Sequence, residues 1–243
     1  LTQHLRDRLD PSMPGPVAVL HIDLDRTKAL NDFLGHLAGD QYLQAVAERL
    51  QAFVDESASL AARLSGDEFV VVLAGPCSHR VATDRARTIA ESIQAPVTLG
   101  VERIGRSASI GIAFGEPGTH TADSLLRQAG QAALVAKRAG GHHISLFTDE
   151  MHAQSELRND VEIHLRDAIA GDSLTLHFQP EVDLVTGRIT AVEALVRWRH
   201  PTRGLLPPSA FIPVAEETNL AGELGRWVLD HACRTLAAWQ RDI

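Results

Sequence analysis

Short unbroken apolar runs alternate with longer stretches in which apolar residues recur every three or four positions. Residues 17–23 (VAVLHID) are short, β-branched and bounded upstream by Pro14-Gly15-Pro16, which predicts a buried strand. Over residues 40–56, Leu43, Val46, Ala47, Leu50 and Val54 fall at helical spacing and predict an amphipathic helix. Residues 60–64 and 69–73 are strand-like on either side of Ser65-Gly66-Asp67-Glu68, a hairpin pattern. A second helix is predicted over 81–94 and a further strand over 108–114 (ASIGIAF). Thr121 offers an N-cap for a helix running to about Ala139, where Gly140-Gly141 stops it. Residues 144–147 close the unit as a short strand. Strands alternate with helices, but one pair is a hairpin. The expected class is therefore α/β (α+β), with a mostly antiparallel sheet and helices packed on it.

After Phe147 the texture changes. Residues 149–170 predict a polar helix without turn signals, a connector. "LTLHFQPEVDL" and "RITAVEALVRWRH" predict two strands around the turn at Thr186-Gly187. Pro207 and Pro208 open a short helix, and residues 220–241 form a long one. The expected division is a first domain over 1–149, a helical connector over 150–171, and an incomplete second domain over 172–243.

Composition narrows the field only a little. The chain carries a net charge of −8 and no basic stripe, which argues against a duplex nucleic-acid partner. No apolar run approaches a membrane span, and the start lacks a basic-then-apolar signal pattern. The expectation is a cytoplasmic segment, with any membrane anchor lying outside it. Cys77 and Cys233 form no metal or CxxC spacing and are expected to be reduced, mostly buried thiols. His142, His143 and His200 have no ligand partners at useful spacing and are expected at the surface.

The chemistry concentrates where apolar runs end. Asp23 and Asp25 close the first strand, followed by Lys28, Asn31 and Asp32, while Asp67 and Glu68 occupy the hairpin turn. If the two strands are neighbours, their carboxylates converge. Two bare carboxylates about 4 Å apart repel by roughly 4 kcal/mol at an effective dielectric near 20. A divalent cation reverses that sign, and Mg²⁺ commonly takes one or two carboxylates plus substrate phosphate oxygens.

"VLHIDLDRTKALNDFLGHLAGDQYLQAVAERL", "AARLSGDEFVVVL", "SASIGIAFG" and "AKRAG" together resemble the GGDEF family of diguanylate cyclases over about residues 1–149. The resemblance implies a palm-like sheet, one GTP per domain, and a homodimer joining two GTP into cyclic di-GMP with release of pyrophosphate. It implies that Asp23, the Leu24 carbonyl and Asp67 hold Mg²⁺ (or Mn²⁺), and that Asp23, Asp67 and Glu68 form the catalytic set. Glu68 is the candidate for assisting deprotonation, and Asp25 for supporting the loop. Asn31 and Asp40 would read the guanine, with hydrogen-bonding capacity suited to it. Lys28 and Lys137 would hold the terminal phosphates, and Gly66 would line the nucleotide site.

Five departures from the pattern bear on turnover. Ser65 replaces the first glycine of the signature, Thr27 a common phenylalanine, Gly130 a usual aspartate, and Gly141 a usual arginine. The residues ahead of Val17 also lack the family's customary Leu-Thr-x-Leu-x-Asn-Arg segment, so part of the pocket is expected to be absent. Losing one preorganised donor typically costs about 10²–10³ in rate. The family's feedback motif, R-x-x-D, is replaced by Glu56-Ser57-Ala58-Ser59, which predicts no product inhibition through that site.

"FQPEVDLVTGRITAVEALVRWRHPTRGLLPPSAFIPVAEETNL" resembles the opening of EAL-family cyclic di-GMP phosphodiesterases, which implies the start of a (β/α)8 barrel. Glu193 would be a metal ligand there, and Gln179 and Arg197 would contact the dinucleotide. The rest of the barrel would lie downstream, so no hydrolysis of cyclic di-GMP is expected from these residues alone. Two functions therefore compete for the first domain: a diguanylate cyclase, or a catalytically weak GTP-binding module that regulates the attached phosphodiesterase.

Overall fold

The computed structural model describes residues 1–54, 59–75, 77–171 and 173–242. The chain divides into two compact units, residues 1–152 and the segment from Ala153 onward. Among the described residues, no helix is long and apolar enough to cross a membrane.

The first unit is built on a five-stranded sheet. Its strands are β1 (Val17–Leu24), β2 (Leu60–Ser65), β3 (Glu68–Ala74), β6 (Ala108–Gly115) and β7 (Ile144–Leu146), in the order β2-β3-β1-β6-β7. Among the described residues, only the β6–β7 pair is parallel, so the mostly antiparallel expectation holds. A small separate hairpin joins β4 (Val97–Leu99) and β5 (Glu102–Ile104). Strand β1 is covered on both faces, as its unbroken apolar run requires. Ala18, Leu20, Ile22 and Leu24 enter a core with Tyr42, Val46 and Leu50 of α3 (His36–Gln51) and Ile89 and Ile93 of α4 (His79–Gln94). Val17 and Val19 point the other way. They meet Leu5 of α1 (Thr2–Arg8) and Leu125 and Ala129 of α5 (Ala122–Arg138).

Local signals fix the helix ends. Ser78 caps α4 by accepting from the Val81 amide, and Thr121 with Ser124 forms a reciprocal capping box on α5. The helix expected over 40–56 instead runs over α3. It is separated from α2 (Thr27–Leu34) by Gly35, whose φ of +82° suits glycine.

The second unit pairs β8 (Leu174–Val182), β9 (Ile189–His200) and β10 (Gly204–Leu206) in an antiparallel sheet of order β10-β9-β8. One face of β9 carries Val196 and Trp198 into a core with Phe211 and Val214 of α7 (Pro208–Glu217) and Leu224 of α8 (Ala221–Asp242). Val161 and Leu165 of α6 (Asp149–Ala170) join the same core, so the later part of the polar connector packs as a core helix.

Two surface expectations need correction. His200 is 4% exposed, because it lies on the core face of β9 with its ring centroid 4.8 Å from that of Trp198. Cys77 is buried as expected, but Cys233 on α8 is exposed.

Candidate functional site

The site forms where β1 runs out of apolar residues. Asp23 pairs with Glu68 in the antiparallel register of β1 and β3, so the strand end and the hairpin turn are adjacent. The Leu24 amide donates to the Asp67 carbonyl at 3.2 Å, locking the turn against the strand. Asp23, Asp67 and Glu68 are thereby brought together, as expected for neighbouring strands.

Lys137 reaches this point from the last turn of α5. Its ammonium donates to both Asp23 carboxylate oxygens, at 2.7 and 2.8 Å. Burial nonetheless pushes the Asp23 carboxyl above its usual range; Lys137 opposes that shift, and the Asp67 and Glu68 charges add to it. For Lys137, burial pulls the ammonium down, but Asp23, Asp67 and Asp25 outweigh it and raise it. Burial and two neighbouring carboxylates thus explain why an ion pair leaves its aspartate raised.

The turn resolves the question of the serine. Gly66, with φ +45°, is the position that needs glycine, whereas Ser65 is not among the positive-φ residues. The Ser65 hydroxyl donates to Glu68 Oε2 at 3.1 Å, and Arg63 donates twice to the Gly66 carbonyl. Thr27, another departure, donates its hydroxyl to Asp67 Oδ2, a contact phenylalanine could not make. Across the strand, Glu68 Oε1 lies 3.8 Å from His21 Nε2. Burial pushes the His21 imidazole below its usual value, against the raising influence of Glu68 and Asp23. A Cβ at Gly130 would meet the His21 ring at 3.5 Å, so the position of the usual aspartate faces this histidine.

Asp25 is a structural tie. It accepts from the Ser107 and Ser109 hydroxyls at 2.6 and 2.8 Å and from the His142 amide at 3.0 Å. Beside it, a cavity of about 470 Å³ is lined by Asp25, Arg26, Arg106, Ser107, Lys137 and Gly141, among others. Lys28 is exposed in the first turn of α2 and does not line that cavity. Asn31 lies against Gly39, where a Cβ would fall 1.9 Å from its Oδ1, so α2 and α3 approach closely there. Asp40 is exposed and lines a different cavity, of about 580 Å³, with β4 and Gly100. The expected base-reading and phosphate-binding residues are therefore not enclosed in one pocket.

Asp23, Asp67 and the Leu24 carbonyl are hard oxygen donors, a set suited in type to Mg²⁺. Among the described residues, no three His, Cys, Asp or Glu side chains gather to hold a metal ion. A cation here would rely on the carbonyl and on substrate oxygens besides the two carboxylates.

In the second unit, Gln179 pairs with Glu193 in the β8–β9 register, and Glu193 and Arg197 share one face of β9. That face is opposite the one carrying Val196 and Trp198. Gln179 and Glu193 are exposed, and Arg197 donates to the Val196 carbonyl at 2.8 Å. Residues 56–58 of the expected feedback position lie outside the described residues.

The family model "Diguanylate cyclase, GGDEF domain" matches residues 1–143. The chain belongs to this family. The start of an EAL domain follows the GGDEF domain, its family model matching residues 163–243. An uncharacterized protein of Mycobacterium tuberculosis (strain ATCC 25618 / H37Rv) is 55% identical over 99% of the chain and 38% of its own length. The bifunctional diguanylate cyclase/cyclic di-GMP phosphodiesterase MucR of Pseudomonas aeruginosa is 38% identical over 97% of the chain and 35% of its own length. The chain thus spans little more than a third of these curated relatives. Among solved structures, the GGDEF domain of YfiN (TpbB) from Pseudomonas aeruginosa is 40% identical with a TM-score of 0.55, covering 61% of this chain and 91% of that one.

Sequence reasoning missed the roles of Thr27, His21, Arg26, Arg106, Ser107 and Ser109. The signal available for the last three was a polar "RSAS" running directly into the buried "IGIAF" strand.

Proposed function

We propose that the GGDEF domain, over residues 1–149, is a diguanylate cyclase in a cyclic di-GMP signalling protein. It joins two GTP into one cyclic di-GMP and releases two pyrophosphates. The observation that carries this reading is the convergence of Asp23, Asp67, Glu68 and Lys137 at the end of β1. Asp23, Asp67 and the Leu24 carbonyl would hold Mg²⁺ or Mn²⁺, which when bound supplies polarisation of the α-phosphate. Lys137 and Lys28 neutralise the terminal phosphates, and Asn31 and Asp40 orient the guanine. Glu68, held by Ser65, takes up the proton as a 3′-hydroxyl attacks the α-phosphate of the second GTP. Because each domain holds one GTP, the reaction requires a homodimer. Gln179, Arg197 and Glu193 belong to the attached phosphodiesterase domain, over residues 172–243, where they contact cyclic di-GMP and a metal.

Incubation with GTP and Mg²⁺, followed by chromatography of the products, tests the reading beside Asp67→Ala. Cyclic di-GMP from the parent and a loss of at least about 10²-fold in the variant are expected. No product from the parent overturns cyclase activity. Position 141, a glycine without a cationic side chain, favours a second reading as a GTP-binding regulatory module. That reading predicts GTP binding without product in the same assay.

A further inference from the structure

The cavity beside Asp25 has an unbalanced charge. Arg26, Arg106 and Lys137 line it against one carboxylate, Asp25, whose oxygens are already committed to Ser107, Ser109 and the His142 amide. Lys137 is paired with Asp23, but neither guanidinium has a carboxylate partner among the described residues. Arg106 Nε is also buried without a hydrogen-bond partner among them. Buried unpartnered donors are uncommon and call for an occupant or a reason. In a chain of net charge −8, two unpaired guanidinium groups sharing a cavity with an ammonium mark an anion site.

Position 141 explains why the arginines come from elsewhere. Gly141 has φ +76°, and a Cβ there would fall 3.0 Å from Asp25 Oδ1. An arginine at 141 would combine backbone strain with displacement of the carboxylate that ties the loop. Arg106, just ahead of β6, lines the same cavity without either conflict, and Arg26, just after Asp25, lines it from a left-handed backbone position of its own, at φ +59°. We propose that Arg106, assisted by Arg26, supplies the contact to the terminal phosphates that Gly141 cannot make. The guanidinium fork suits a phosphoryl group, and Lys137, whose ammonium donates to Asp23, lines the same cavity. The identity of the anion as the pyrophosphate portion of GTP rests on the cyclase reading above.

The test is calorimetric titration of the chain with GTP and, separately, with inorganic pyrophosphate, both in Mg²⁺. Arg106→Gln is expected to weaken both ligands about 10-fold to 100-fold. Arg106→Lys should recover part of that loss, and circular dichroism should stay unchanged. Arg26→Gln, at an exposed side chain whose loss does not threaten folding, should give a smaller loss of the same kind. If Arg106→Gln and Arg26→Gln bind both ligands as the parent does, the inference falls while GTP binding stands. If the parent binds pyrophosphate through Arg106 but not GTP, the anion site stands and the GTP reading falls. A parent that binds neither overturns both.

Discussion

Strand β1 of the first unit and strand β9 of the second are both central in their sheets, yet they distribute polar residues differently. β1 is apolar on both faces and becomes polar only near its end, at His21 and Asp23. β9 alternates: Val196, Trp198 and His200 are buried, while Glu193, Arg197 and Arg199 lie on the other face. In the first unit, then, the core stops abruptly and the carboxylates gather at that boundary. In the second, Glu193 and Arg199 lie exposed on the face opposite the core residues Val196 and Trp198. A site at the end of a doubly buried strand inherits the strand's rigidity, because the register that aligns Asp23 with Glu68 also seats Leu20 and Ile22.

The largest break in this comparison is expected from the core. Leu20 is completely buried, and Leu205 of β10, on the face of Arg199, is 50% exposed. Leu20→Ala should cost about 2–5 kcal/mol and Leu205→Ala less than about 1 kcal/mol. Urea unfolding followed by circular dichroism measures both. Tryptophan fluorescence adds a local readout, since Trp198, Trp227 and Trp239 all lie in the second unit. Equal losses for the two variants would remove the contrast between the strands.

A middle-sized effect separates the two residues at the hairpin tip. Gly66 has the positive φ and Ser65 does not, so Gly66→Ala should cost about 1–2 kcal/mol. Ser65→Gly should change stability by less than about 1 kcal/mol, freeing Glu68 from its hydroxyl donor rather than relieving strain. Thermal melts of the two variants side by side check the ranking. A large gain from Ser65→Gly would mean that the serine strains the turn.

What could be read from residues alone follows the same division. The doubly buried β1 and β6 announced themselves as unbroken apolar runs, and Thr121 and the glycines after α5 marked that helix. α1 and the β4–β5 hairpin did not, because α1 buries only Leu5 and each hairpin strand has three residues. The carboxylates were legible because acids beside apolar runs are costly without a reason. Arg106 and Thr27 were not, since their partners are distant in sequence: Thr27 meets Asp67, and Arg106 shares a cavity with Lys137. Ser65 was legible as a departure, but whether its backbone needed glycine could be decided only from φ.

The smallest expected effect lies in the second unit and concerns pH. Asp160 of α6 accepts from the Arg203 guanidinium, and that hydrogen bond, the largest influence, holds its carboxyl below the usual range. A depressed folded-state value means that the unfolded chain binds more protons as pH falls. The contribution of the pair is therefore present above the ordinary aspartate value of 3.8 and is lost as pH drops through and below it. Both side chains are about a third exposed, so solvent and salt screen the interaction and keep it small. Arg203→Gln should lower the tryptophan-detected melting temperature slightly at neutral pH and leave it unchanged well below pH 3.8, which flattens the acid limb. Added salt should mimic the substitution in the parent. An acid limb that survives both changes would assign the acid sensitivity of this unit to carboxylates other than Asp160.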